Sequence, residues 1–585
     1  MRAITTCVSG LLLSAVLLLP SIHAAELQPF FTFKASSVNS LIAVAEKIGT
    51  MADFANSNEF KEFIKTVKEV QGFNLDGIIG FAAAVSDDGD LCPILLLPIT
   101  DLWKIDVPSQ PGILDPIIPF LTKRGAERTD MNFPIGTYVA LQKQGYLVIV
   151  SEDVVEQVPA DARKLFADLE KYTLGMKLDL EKVKFETLES QLFGPMIFMA
   201  MMAVPEVGEQ IEQAVDAGRE LSKEFAVLSG GIAFNPQTAD VELSGMMVPR
   251  KGSDFAKSLA GYKPQPTIFG GFRGTPGNVI VSFGDSATQV PISEEKLNTF
   301  TEPLDAVFSG FLDQIEMEDE TGETAELAKK VIDSVQKIIV AESKRGTSDT
   351  ALSLNTDGTL LLASDTGSLA EIQKLISLLV EFAAQRVRPI AITFGIDINA
   401  SVKQDYVTVE GFKVSSFKFP MDKLVPLIPN PNTAKGFSGL SPGVFWAVKD
   451  AGGKQAVAVA AGLDFAKAES AFKSALEKTK TPAPVQKPMG TLSVQGLGKF
   501  LQQTVYPVAE KTGDDMPVEY LAQMKKVFDI LATAGNDATV TLNADVKPDK
   551  IEGGYRISGK AIQAVIAAVK AVIPEGLNRP AMQDF

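Results

Sequence analysis

The sequence predicts an antiparallel α+β protein made of repeated helix–β-hairpin–helix units, with helices packed on one face of the sheets and the whole arranged in two related lobes. Three observations predict it. Apolar stripes at helical spacing alternate with pairs of short strands. Turn residues join the strands of each pair. Hairpins far outnumber the crossovers that a parallel sheet needs.

The clearest unit runs from Val207 to Ala260. Val207, Ile211, Val215, Leu221 and Phe225 recur at close to 3.6 residues and mark one buried helical face. Ile232 and Phe234 share a face of one strand; Val241, Leu243 and Met247 share a face of the next. Asn235-Pro236-Gln237 turns between them, and Ser253 caps a second helix carrying Phe255 and Leu259.

Two further copies are expected. In the second, Leu327, Val331, Val335 and Ile338 stripe a helix, Thr356-Asp357-Gly358 joins two strands, and Ser368 with Glu371 forms a capping box. In the third, Leu521, Met524, Phe528 and Leu531 stripe a helix ahead of strands around Val540 and Ile551 to Ser558. Asn235, Asn355 and Asn543 are each read as ending the first strand of a copy, which argues for an internal repeat.

The chain opens with a short basic start at Arg2, an apolar run from Leu11 to Leu19 and a small-residue end at Ala24. That pattern predicts a secretory signal over residues 1–24 and an exported protein, periplasmic or extracellular. An N-terminal hairpin module is expected over 25–173. It holds helices near Asn39–Ile48 and Phe60–Val67, a hairpin on either side of Ser86–Asp90, a second hairpin about Lys143-Gln144-Gly145, and a helix from Ala160 to Tyr172. Repeat units follow at 174–263 and 264–388, with a Gly/Pro-rich junction over Pro264–Asn278. A second hairpin module spans 389–482, pairing Ile392–Ile398 with Tyr406–Val414 before a linker over Pro426–Pro442. The third unit and a tail fill 483–585. The residues up to Gly261 and those from Pro389 read as the two lobes.

Several phrases carry a resemblance: Pro98-Ile99-Thr100-Asp101-Leu102, the Tyr138–Val150 hairpin, Leu174-Gly175-Met176-Lys177-Leu178-Asp179, and Ile232–Leu259 with Thr267-Ile268-Phe269-Gly270-Gly271-Phe272 after it. In these and in its arrangement the chain resembles large secreted bacterial proteins found mainly in planctomycetes. The resemblance implies an exported α+β protein and no catalytic or binding residues.

Composition narrows the chemistry. There are 55 basic and 72 acidic residues, for a net charge of −17. Such an acidic chain is repelled by nucleic acid and by anionic membrane surfaces. Loss of residues 1–24 would remove His23, the one histidine, and Cys7, leaving Cys92 as the sole thiol in an apolar run. A mature chain of that kind has no Ser-His-Asp triad, no Cys-His pair and no histidine zinc site. Met196, Met199, Met201 and Met202 read as core or apolar groove, the Asp87–Asp90 and Glu316–Glu323 runs as solvated loops, and Gly271, Gly274 and Gly277 as turn glycines. No catalytic, cofactor-binding or metal-binding residue is assigned, and no cofactor. No apolar run beyond the signal has the length of a membrane helix.

Two classes of function follow. The first is a non-enzymatic structural or interaction protein of the cell envelope. The second is a carrier of an apolar ligand in a groove between sheet and helices. A carboxylate-based hydrolase stands third.

Overall fold

The computed structural model describes residues 29–52, 57–69, 72–85, 89–100, 128–133, 136–190, 215–216, 218–274, 277–288, 309, 312, 323–379, 381, 402–451, 454–485, 489–512 and 517–572. The expected signal, the Met196–Met202 cluster, Asp87 and Asp88, Glu316–Gly322, Ile392–Ile398 and the tail lie outside these.

A first run of strands comprises β1 (Pro29–Ala35), β2 (Ile79–Val85), β3 (Leu91–Pro98), β4 (Arg128–Phe133), β5 (Gly136–Lys143), β6 (Tyr146–Ser151), β7 (Leu174–Asp179), β8 (Phe225–Phe234) and β9 (Val241–Pro249). The second carries the two-residue strands β10 (Lys263–Pro264) and β11 (Pro266–Thr267), then β12 (Val279–Thr288), β13 (Thr347–Asn355), β14 (Leu360–Thr366), β15 (Val402–Val409), β16 (Phe412–Lys418), β17 (Gly443–Ala451) and β18 (Lys454–Gly462). It ends with β19 (Ala483–Val485), β20 (Met489–Ser493), β21 (Thr539–Lys547) and β22 (Lys550–Ile557).

The chain divides into two compact units. The first holds residues 1–257 with 549–566 and 573–585. Its strands pair antiparallel in the order β4-β5-β6-β3-β2-β1-β7-β8-β9-β22. The second holds 258–548 and 567–572, with the antiparallel order β15-β16-β17-β18-β14-β13-β12-β20-β21. β12, β13 and β14 hold the places of β1, β2 and β3; β16 to β18 hold those of β4 to β6; β20 and β21 hold those of β7 and β8. The matching order starts at Val279, not at Pro389.

In the first unit the central strands are covered on both faces. Ala82, Cys92, Ile94, Leu96, Val139 and Val148 pack beneath Phe166. Phe81, Leu95, Tyr138, Leu147 and Ile149 pack on the other side with Leu180, Val183 and Leu188. Strands buried on both faces read as unbroken apolar runs, and Leu91-Cys92-Pro93-Ile94-Leu95-Leu96 is one. The sequence predicts a helix over 160–172. The region forms a 3-10 segment, Ala162–Leu169, started by Asp161 accepting from the Arg163 amide. Its tighter winding brings the Phe166 ring against Gly80, where a methyl group would sit 2.4 Å from the ring.

Other expectations are corrected as well. Phe225 opens β8 instead of closing a helix, because its strand partners and the Phe255 ring, 4.8 Å away between centroids, outweigh the helical spacing. Asn543 sits inside β21 opposite Met489, so the three asparagines do not mark a common strand end. The β13–β14 hairpin lies between β12 and β18, whereas β8–β9 lies between β7 and β22. Ser368 and Glu371 form no capping box: the Ser368 amide donates to Thr366 Oγ1 and its hydroxyl to Glu342. Tyr406–Val414 is not one strand, since Glu410 and Gly411 take positive φ and turn β15 into β16.

The Gly/Pro-rich stretch after Pro264 is part of the second unit's core and not a loose junction. Phe269 and Phe272 are fully buried there, edge-on to each other, and Phe272 meets Phe472 in the helix Phe465–Glu477. The short strand β11 pairs with β19, which ties Ala483–Val485 into the same fold. Pro426–Pro442 contains the helix Pro431–Phe437, with Pro at its first position and Asn430 as its cap. Among the described residues, no helix is long and apolar enough to cross a membrane.

Candidate functional site: an open apolar sheet face

The strands β7, β8, β9 and β22 form one end of the first unit's sheet. Their register sets three side-chain rows on one face. Leu178, Leu228, Met247 and Ile551 make the first. Met176, Gly230, Gly245 and Gly553 make the second. Leu174, Ile232, Leu243 and Tyr555 make the third. Residues directly opposite on adjacent strands share a face, so each row is continuous across the sheet.

The opposite face of the same strands carries Lys177, Ser229, Glu242, Ser244, Glu552 and Arg556. The sheet end is therefore amphipathic, with a charged side and an uncharged apolar side. An apolar side is ordinarily the one that packs on a core. Here much of it stays open to solvent: Met176 is 50% exposed, Ile232 40%, Leu243 49% and Tyr555 51%, whereas Leu178, Leu228 and Ile551 are partly buried and Leu178 packs on the unit's core. A methyl placed on Gly245 would meet only the backbone of β8, at Ser229 and Gly230. The row through Gly230 and Gly245 is thus a shallow trough with a backbone floor and apolar side chains along both rims. At its β1 end it meets Phe33, which pairs with Met176 and packs on the unit's core.

Beneath the neighbouring strands, the Lys34 ammonium is buried on the charged side of the sheet. It donates to the carbonyls of Leu169, Glu170 and Tyr172 at 3.1–3.2 Å. Burial pushes its pKa down, with nearby Glu170 opposing the shift. All three acceptors are main-chain carbonyls at the end of the 3-10 segment, so Lys34 acts as its C-terminal cap.

The second unit holds a polar lattice. Asp349 Oδ2 accepts from the Ile268 amide at 2.9 Å and its other oxygen from the Thr267 hydroxyl. Asp365 sits across the strand pair, accepting from the Asp349 amide at 2.7 Å and from Arg345 Nη2 at 2.6 Å. Arg345 Nη1 also donates to Glu342. Burial raises the pKa of Asp349, Asp365 and Asp285, the last beneath the Tyr262 hydroxyl. Burial works the same way on Glu342, but donors from Ser368, Thr366 and Arg345 outweigh it and hold that carboxyl low. Arg273 lies against Gly284, with Nε and Nη2 buried and lacking a hydrogen-bond partner; burial lowers its pKa while Asp349 and Asp285 oppose the change. The donors that Asp349 accepts, Thr267 and Ile268, stand just before the Phe269–Phe272 segment, so this lattice fastens that segment to β13.

The residues singled out in sequence scatter. Cys92 is buried within β3. Gly271 lies in the short 3-10 turn beside Phe272, and Gly274 and Gly277 take positive φ in the turn before β12. Among the described residues, no group of three His, Cys, Asp or Glu side chains could hold a metal ion. The apolar rows are not legible in the sequence, although Ile232, Leu243 and Met247 read as strand faces. Only the strand register reveals that four such faces align around three glycines.

Fold and site together define a class: an antiparallel α+β protein with an uncharged apolar sheet face left open. No family model, no curated protein and no solved structure matches this chain.

Proposed function

We propose that this chain is an exported, non-enzymatic protein that binds an apolar ligand on the open sheet face of its first unit. The observation that carries the reading is the cross-strand row Leu174–Ile232–Leu243–Tyr555, uncharged throughout and 36–51% exposed. Contiguous exposed apolar surface on an otherwise charged protein marks a place where something apolar docks. The secretory pattern at the start of the sequence supports export. Its removal would take His23 with it and leave catalysis by nucleophile and histidine base without its base. The like strand orders of the two units support an origin by duplication. A purely structural role in the envelope leaves the apolar face without a purpose, so the carrier reading stands first.

Titration of the purified full chain with Nile red, an uncharged apolar dye, tests the reading. Saturable binding with a blue-shifted emission is the expected result. A linear, non-saturating signal no larger than that of an unrelated acidic protein would overturn it. Separate fractionation of the native host tests export: the chain belongs in the periplasmic or extracellular fraction, shortened by residues 1–24.

A further inference from the structure

We infer that the trough along Met176, Gly230, Gly245 and Gly553 seats a single unbranched hydrocarbon chain, such as the acyl or alkyl tail of a lipid, lying across the four strands. The inference rests on the binding role proposed above and names the ligand class.

Three observations lead to it. The first is shape. Three of the four positions in the middle row are glycine, paired directly with one another across β8, β9 and β22. The rims are branched, thioether or aromatic side chains, with Leu228, Met247 and Ile551 on one side and Ile232, Leu243 and Tyr555 on the other. A groove of that form accepts a slim chain along its floor, whereas a fused ring system would ride on the rims. Met176 and Phe33 stand at the β1 end, so the trough has a stopped end.

The second is charge. None of the twelve side-chain positions in the three rows is ionisable apart from the Tyr555 phenol, while the chain as a whole carries −17. Desolvating this face therefore strands no carboxylate or ammonium. A second copy of the chain would bring its own negative charge toward the first.

The third is area. Strands lie about 4.8 Å apart and same-face residues recur about every 6.8 Å along a strand, so four strands by three rows cover roughly 400 Å². A stable protein–protein interface takes about 800 Å² from each partner. The face is too small for a dimer and matches one extended chain.

The test is competition for Nile red on the full chain, with hexadecanol as a linear competitor and cholesterol as a fused-ring one. Two variants accompany the native protein. Gly245→Val fills the trough at its middle. Met176→Lys puts a charge at its stopped end without touching the glycine packing, and its position is already half exposed. Thermal melts establish that each variant is folded.

Hexadecanol is expected to displace the dye and cholesterol is not. Either folded variant should weaken hexadecanol binding by at least about tenfold, the equivalent of two methylenes losing contact. Equal competition by cholesterol, or hexadecanol affinity within about twofold of native in both folded variants, would overturn the trough and leave the broader binding role standing. Failure of the native chain to bind Nile red at all would overturn both.

Discussion

Asp240 and Gly559 lie 319 residues apart in sequence and one hydrogen bond apart in space: the Gly559 amide donates to Asp240 Oδ1 at 2.8 Å. The other carboxylate oxygen pairs with Arg556 Nη2 at 2.6 Å. Asp240 precedes β9, and Gly559 begins the helix Gly559–Val572 that follows β22. The carboxylate thus satisfies an amide that the helix cannot, and fixes the β9–β22 pairing that completes the apolar face.

The Gly559 amide and Arg556 together hold the Asp240 carboxyl below its usual range, against partial burial. A depressed carboxylate pKa contributes stability that is complete above the unfolded value of 3.8 and disappears as pH falls through the folded one. Asp240→Ala should cost about 1 kcal/mol in denaturant melts near neutral pH. Asp240→Asn should keep part of the amide contact and flatten the acid limb of the stability curve. Identical acid limbs for the Asp240→Asn variant and the native protein would refute this link.

Gly559 has no room for a side chain. A methyl there would sit 1.8 Å from the Thr238 carbonyl oxygen. Gly559→Ala must therefore push the helix start away from the β8–β9 turn. We expect a loss of about 1–3 kcal/mol and weaker dye binding together, because both depend on the seating of β22. Unchanged melting of the Gly559→Ala variant would show that the close approach does not matter.

Lys34 is 5% exposed and gives all its protons to main-chain carbonyls. Lys34→Met should cost about 1–3 kcal/mol, since three buried acceptors lose their donor. The sign of the pH effect is also set. The folded pKa lies below the unfolded 10.5, so the unfolded chain holds the proton more tightly between the two values. Native stability should rise through that alkaline window, and the Lys34→Met variant should lack the rise. Chemical denaturation across that range measures it.

Asp349 presents the opposite case. Its pKa is raised by burial, so ionisation costs the folded state, and stability falls as pH rises from 3.8 through the folded value. Asp349→Asn keeps an acceptor for the Ile268 amide without the buried charge. It should remove that slope and leave the second unit at least as stable near neutral pH. Asp349→Ala removes the acceptor and should cost about 1–3 kcal/mol, releasing the Phe269–Phe272 segment. Limited proteolysis in the 262–274 region is the direct readout.

Local pattern revealed much of the fold. The Lys143–Gly145 turn is a hairpin because Gln144 and Gly145 both take positive φ, and the sequence signals that plainly. The antiparallel class also followed from such turns. What local pattern could not carry was register. Leu174, Ile232, Leu243 and Tyr555 come from four strands spread over 382 residues, from 174 to 555, and only their pairing sets them in a row. Gly/Pro composition misled at Pro264–Asn278, because β11 and two buried phenylalanines turn an apparent linker into core. The helical stripe ending at Phe225 misled for a similar reason: long-range pairing with Pro249 decided the conformation. The buried carboxylates of the second unit were hidden among 72 acidic residues, and nothing but their surroundings distinguishes them.

The most direct test of the apolar-binding account is the affinity of the Leu243→Asp variant for Nile red, measured beside its thermal melt. Leu243 is half exposed at the centre of the rim row, so the substitution should change stability by no more than about 0.5 kcal/mol. A carboxylate there must lose its water when an apolar ligand settles, and the dye should bind at least about tenfold more weakly. Native-like affinity in a folded Leu243→Asp variant would contradict the assignment of this sheet face as the binding surface.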